Sequence, residues 1–175
     1  MRKVKLSLAC SLDQFIAGPD GAIDWIRSDV DHGMNAFFAS VDAALIGRAT
    51  YDTARRAGIG FFPFMKNYVF SNSLPPGLNG EVEIISGDAA QFTRTLKLQP
   101  GKDIWLFGGH ALAASLMNAD LVDEIRLAIQ PVLLGGGIPA FGALTQCQFW
   151  RLESSSPYPN GVVLLQYSRL HSQPV

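Results

Sequence analysis

Cysteine and histidine are scarce in this chain. Two cysteines, Cys10 and Cys147, and three histidines, His32, His110 and His171, occur in 175 residues. The cysteines sit apart in apolar or strand-like stretches, no CxxC pair occurs, and the histidines are far apart in sequence. Neither a disulfide framework nor a zinc site is therefore expected, and no metal is assigned. Charge is also thin: charged residues make up 17% of the chain and the formal net charge is −1. Beyond the opening "MRKVK" there is no run of Lys or Arg, which argues against nucleic acid or an anionic membrane as partner. No apolar run approaches the roughly 18 residues of a membrane span. The N-terminal "VKLSLAC" alternates rather than forming an apolar targeting core, so a cytoplasmic protein is expected. Repeats, linkers and low-complexity segments are missing as well.

What is present suits one compact domain spanning residues 1–175, because 48% of the residues are hydrophobic and the length can bury a sizeable core. Val4, Leu6, Leu8 and Cys10 alternate with Lys5, Ser7 and Ala9, the two-residue period of a strand. Met34, Phe37, Phe38 and Val41 follow the spacing of an amphipathic helix, with Asp29 or Asp31 in position to cap it. "AALIG" reads as a buried strand and "TYDTARRAG" as a short helix stopped at Gly58. Strands "NYVFS" and "VEIIS" flank the turn-rich "NSLPPGLNG", and a helix over "DAAQFTRTLK" takes Asp88 as its cap. Then come strand "DIWLF", helix "HALAASLM", and three strands in "EIRLAIQPVLL", "QFWRLES" and "VVLLQYSRL". Alternating β and α predicts a mostly parallel sheet with helices on both faces, and the final strand pair adds an antiparallel edge. In such sheets ligands bind beyond the carboxyl ends of the strands.

Three junctions at those ends stand out: "LIGRATYD", "VFSNS" and "LFGGHALAAS". Each sets small or polar groups at the start of a helix or loop, where unpaired N–H groups and the helix dipole favour anions. Spread over the chain, they suit an elongated ligand with several phosphates. No GxGxxG follows the first strand, and "GGGIPA" at Gly135–Ala140 precedes no helix, so it reads as a tight loop. Gly108-Gly109 removes two side chains where a strand turns into a helix, which a tight turn or a close approach would each require.

Taken in order, "SLDQFIAGPDGAIDW", "LIGRATYD", "VFS" and "FGGHALAASLMNADLVDEIRLAIQPVLLGGGIPAF" resemble the dihydrofolate reductase-like superfamily, in particular the group containing the reductase domain of riboflavin biosynthesis. The resemblance covers nearly the whole chain. It implies a three-layer αβα sandwich around an eight-stranded, mostly parallel sheet, with NADPH extended across the strand ends. Ala9, Ile16 and Ala17 would lie beside the nicotinamide, with the loop Gly18–Gly21 closing over it. Gly47, Arg48, Ala49 and Thr50 would hold the adenosine side, with Arg48 near the 2′-phosphate and Ser71 and Asn72 lining the adenine-ribose region. Gly108 and Gly109, joined by a cis peptide in this superfamily, would pass beneath the nicotinamide and pyrophosphate, and the N–H groups of His110, Ala111 and Leu112 would donate to phosphate. Many relatives carry a basic residue where Asn72 stands, which leaves Arg48 as the expected cation on the 2′-phosphate.

The implied activity is an NADPH-dependent reductase passing hydride to a small heterocyclic or imine-bearing substrate, in a protein expected to be a homodimer. Two alternatives are a riboflavin-pathway 5-amino-6-(5-phosphoribosylamino)uracil reductase and a non-catalytic nucleotide-binding protein. No HxE or PCxxC zinc signature of a deaminase accompanies the domain. Asp24 is the candidate for orienting substrate or supplying a proton through water, with Trp25 beside it; the alternative is that Asp24 caps a turn and Trp25 only packs.

Overall fold

The strands expected from alternation do assemble side by side. The structure, a computed structural model, describes residues 1–58 and 60–170; His171 lies outside them. In chain order the elements are β1 (Val4–Cys10), β2 (Phe15–Ala17), α1 (Met34–Ser40), β3 (Val41–Gly47), α2 (Arg48–Arg56), β4 (Lys66–Phe70), β5 (Gly77–Asn79) and β6 (Val82–Ile85). There follow α3 (Ala89–Leu98), β7 (Asp103–Gly108), α4 (His110–Asn118), β8 (Glu124–Ile129), β9 (Ile138–Pro139), β10 (Phe149–Pro157) and β11 (Val163–Leu170). The main sheet has nine strands in the order β10-β11-β8-β1-β7-β3-β4-β6-β5. The ninth strand beyond the eight expected is β5, three exposed residues inside the turn-rich stretch that fold back antiparallel onto β6. Six central strands run parallel, and β8–β11–β10 form the antiparallel edge. Among the described residues no helix is long and apolar enough to cross a membrane.

Strand alternation sends two sets of side chains to opposite faces. Leu6, Leu8, Leu45, Ile104 and Leu106 pack with Leu96 of α3 and Leu112 and Leu116 of α4. On the other face Ala44, Ile46, Val69 and Trp105 pack with Phe37 of α1 and Tyr51 of α2. Phe62 joins this second layer, its ring 4.7 Å from Trp105 and 5.4 Å from Phe107, so the aromatic run Phe61-Phe62-Pro63-Phe64 walls one side of the sheet. Burial of such rings supplies the main driving force for closing the layers.

Helix starts differ in a way that matters for the site. Asp88 caps α3, its carboxylate accepting from the N–H of Ala90 and Gln91. Asp31 does the same for α1, accepting from Met34 N–H at 2.6 Å, whereas Asp29 accepts from the Asn160 amide. By contrast α2 and α4 begin after Gly47 and Gly109, and among the described residues no side chain caps either of them.

The three glycines of "GGGIPA" form a loop as expected, but Ile138 and Pro139 of the same stretch are a short strand rather than loop. That strand is β9, which pairs with β2. At Gly137 (φ 146°) a Cβ would stand 2.1 Å from the Ala17 carbonyl oxygen, so no other residue fits against β2 there.

Candidate functional site

The sheet opens where β1 and β7 part. Their register runs Val4↔Ile104, Lys5↔Trp105 and Leu6↔Leu106, while β1 continues beside β8 as far as Cys10↔Ile129. The chain order explains the position: β1 leads outward to β3, and β7 returns between them before α4 carries the chain to β8 on the far side. Such a reversal is where open α/β sheets bind ligands. Ala9 stands on one lip, opposite Ala128 of β8, and Gly108-Gly109 ends the strand forming the other lip.

The two glycines are joined by a cis peptide, and Gly108 has φ 139°. A Cβ on Gly108 would meet only the Thr50 hydroxyl, at 3.8 Å; one on Gly109 would crowd that hydroxyl at 3.0 Å. A Cβ on Gly47 would lie 2.9 Å from the Gly109 nitrogen and 3.3 Å from the Gly108 oxygen. Gly47, Thr50, Gly108, Gly109 and Leu112, singled out from separate stretches of sequence, therefore meet in one place. The starts of α2 and α4 abut there, and both leave their first N–H groups without a capping side chain. The exposed residues His110 and Ala111 and the buried Leu112 form the first turn of α4, and Ala49 is exposed at the start of α2.

Further along the strand ends, Arg48 is fixed from three sides. Its Nε donates to Asp52 at 2.7 Å, and its Nη1 donates to the Ser71 hydroxyl at 3.2 Å and the Ser73 hydroxyl at 2.8 Å. A depression of about 380 Å³ is lined by Arg48, Phe70, Ser71, Asn72, Ser73 and Gly87. Asn72 reaches it but is itself tied down, its side-chain oxygen accepting from Gly87 N–H at 2.8 Å. Phe70 and Ser73 stood within the "VFSNS" junction without a role assigned to either, and Gly87 escaped the sequence reading. The one signal for Ser73 was its place two residues past Ser71 in "SNS".

Ile16 and Ala17 lie on β2, with Ala17 buried and Ile16 half-buried against the core. Asp13 anchors this segment, accepting from the Ser11 hydroxyl and from Leu134 and Gly135 N–H. The Ser11 hydrogen bond, joined by those backbone donors, holds its carboxyl below the ordinary value. Asp24 is exposed on the turn after this loop, and Trp25 is held within the same turn, its indole N–H donating to the Ala22 carbonyl at 3.1 Å.

The chain as a whole matches a known architecture. Residues 71–164 match the model of the RibD C-terminal domain. The chain is 36% identical to the uncharacterized protein YwjB of Bacillus subtilis (strain 168), over 93% of this chain and 96% of that protein. A putative riboflavin biosynthesis protein from Shewanella sp. PV-4 superposes with a TM-score of 0.85 at 25% identity, covering 97% of this chain and 99% of the other. The dihydrofolate reductase of Enterococcus faecalis, solved with NADP(H), superposes with a TM-score of 0.72 over 95% of this chain and 96% of the other; at 15% identity the likeness is one of fold. The chain belongs to the RibD C-terminal domain family. Its architecture is the dihydrofolate reductase-like fold.

Proposed function

We propose that the protein is an NADPH-dependent reductase that passes hydride to a small heterocyclic or imine-bearing substrate. The observation that carries this reading is the split between β1 and β7, with Ala9 on one lip and Gly108-Gly109 on the other. Two uncapped helix starts open beside it. Those N–H groups suit a pyrophosphate, which needs several donors and gains from the positive dipole ends. The residues fit the cofactor: Gly108 has room where a side chain would intrude, and Arg48 with Ser71 and Ser73 offers donors for a 2′-phosphate. Bound NADPH supplies the hydride. The chain's part is to hold the nucleotide across the strand ends, to present one ring face at Ala9, and to keep water out with the β2–β9 loops.

The test is NADPH oxidation, followed by the absorbance of the reduced nicotinamide, across a panel of cyclic imines, pteridines and aminopyrimidines. Saturable turnover with one of them is expected. Tight NADPH binding with no turnover across the panel would favour a non-catalytic nucleotide-binding protein.

A further inference from the structure

Among the described residues three cations are almost fully buried: Arg2 at 8% exposed, Lys97 at 6% and Arg126 at 7%. Two have a carboxylate partner: Arg2 pairs with Asp42, and Lys97 reaches Asp123 at 2.6 Å. Arg126 has none within 4.0 Å among the described residues. Its guanidinium donates to the Ser7 hydroxyl at 3.2 Å, to Met34 Sδ at 3.1 Å and to the His32 carbonyl, and it lies 5.4 Å from the Phe37 ring centre. These neighbours position the group but do not neutralise it. Desolvation works against the charged form and pushes the Arg126 pKa down, outweighing the longer-range pull of Tyr158 and the Asp31 carboxylate in the other direction. A buried cation of this kind is electrostatically complementary to an anion from outside the chain.

Its address in the sheet says which anion. Arg126 is the register partner of Ser7, and Ala128 the partner of Ala9, so both pairs face the same side. Two residues of strand separate them, roughly 6–7 Å. The Ala9–Ala128 pair belongs to a small cluster with Val162, Leu164 and Tyr158, and the two alanine side chains are slight beside Trp105 and Phe107 on β7. Arg126 lies under α1, against Met34 and Phe37, and the loops nearby are held by polar contacts. Arg27 N–H donates to Gln130 Oε1 at 3.0 Å and its guanidinium to the Asn160 carbonyl at 2.6 Å, while the Asn160 amide reaches Asp29 at 2.9 Å. The His32 ring packs edge-on against Tyr158 at 4.8 Å. Polar contacts of this sort exchange with water more readily than the packing of Met34 and Phe37 on Arg126 itself.

We propose that Arg126 is the substrate-recognising cation of this reductase. It binds an oxyanion of the substrate, carboxylate or phosphate, and so sets the reducible carbon of a compact ring beside Ala9. The proposal rests on the reading of the β1–β7 split as the nicotinamide site.

The experiment titrates benzoate, inorganic phosphate and neutral benzamide by calorimetry into NADP⁺-saturated protein, using wild type, Arg126→Gln and Arg126→Lys. An NADP⁺ titration of each protein comes first. An oxyanion should bind wild type more tightly than benzamide does, and preference for benzoate or for phosphate identifies its class. Arg126→Gln should weaken that oxyanion roughly tenfold to a hundredfold, with Arg126→Lys retaining much of the affinity and NADP⁺ binding within about twofold throughout. Equal oxyanion affinity in wild type and Arg126→Gln, or no preference over benzamide, overturns the proposal. A purely structural arginine would lower the melting temperature without changing that preference. Should the Gln variant not fold, the near-isosteric neutral Arg126→Met takes its place: oxyanion affinity weakened at least about tenfold in folded protein supports the assignment, and affinity equal to wild type overturns it. If wild type fails to bind NADP⁺, the nicotinamide reading falls separately, and the same titration on nucleotide-free protein still decides Arg126.

Discussion

Replacing Gly47 by alanine places a methyl group between two segments that have no room for it. Its Cβ would sit 2.9 Å from the Gly109 nitrogen and 3.3 Å from the Gly108 oxygen, both backbone atoms, and 3.5 Å from the Leu112 side chain. No rotamer change relieves contacts with backbone, so β3 must move away from the start of α4. Overpacking of this kind costs roughly 1–3 kcal/mol. At about 2–4 °C per kcal/mol for a domain of this size, the melting temperature should fall by about 2–12 °C. The same shift separates the two helix starts and spoils their joint presentation of N–H groups, so NADPH binding should weaken beyond what instability explains. Gly136→Ala is the control, because a Cβ there meets nothing within 4 Å and its φ is not in the left-handed region. Circular dichroism melts and an NADPH titration at a temperature where both variants are folded read the two effects apart. A Gly47→Ala protein that melts with the control and binds NADPH like wild type would refute the reasoning.

Arg48→Ala should weaken NADPH roughly tenfold to a hundredfold and leave NADH nearly unchanged, since only the former carries a 2′-phosphate for this charged donor; equal weakening in a binding titration would show the assignment to be wrong. Burial pushes the Cys10 thiol up to about 11, whereas Cys147 is exposed. A thiol reagent at mildly alkaline pH should therefore label Cys147 rapidly and Cys10 only on unfolding. Because the folded value lies above the ordinary 9.0, this thiol's contribution to stability is intact below that pH and is lost as pH rises toward about 11. Rapid labelling of both cysteines in folded protein would contradict the burial. The β10–β11 hairpin leaves Leu152 50% exposed, with Trp150, Leu165 and Tyr167 only partly covered, and we predict a homodimer formed through this face. A monomer mass in sedimentation at micromolar concentration would refute it.

Much of the fold was legible because its signals are local. Alternation marked β1, helical spacing marked α1, and Asp88 declared the start of α3. The Gly108-Gly109 pair advertised a special junction, although not its cause in sequence terms: the neighbours that crowd it, Gly47 and Thr50, lie some sixty residues earlier. The three-residue β5 was invisible, since its pairing with β6 depends on how the Gly80-Glu81 turn between them folds. Arg126 was missed for a similar reason. An arginine between apolar residues of a strand reads as the solvent side of an alternating pattern, and only the arrival of α1 over that face buries it. Ser73 likewise acquires its role through Arg48, which sits on a different element.

The most direct test of the central claim is a crystal structure of the protein with NADP⁺. The account predicts the nicotinamide in the split between Ala9 and Gly108-Gly109, the pyrophosphate against the first turns of α2 and α4, and the 2′-phosphate within hydrogen-bonding distance of Arg48 and Ser73. A nucleotide bound elsewhere on the protein, or running in the opposite direction with its adenine at Ala9, would contradict it.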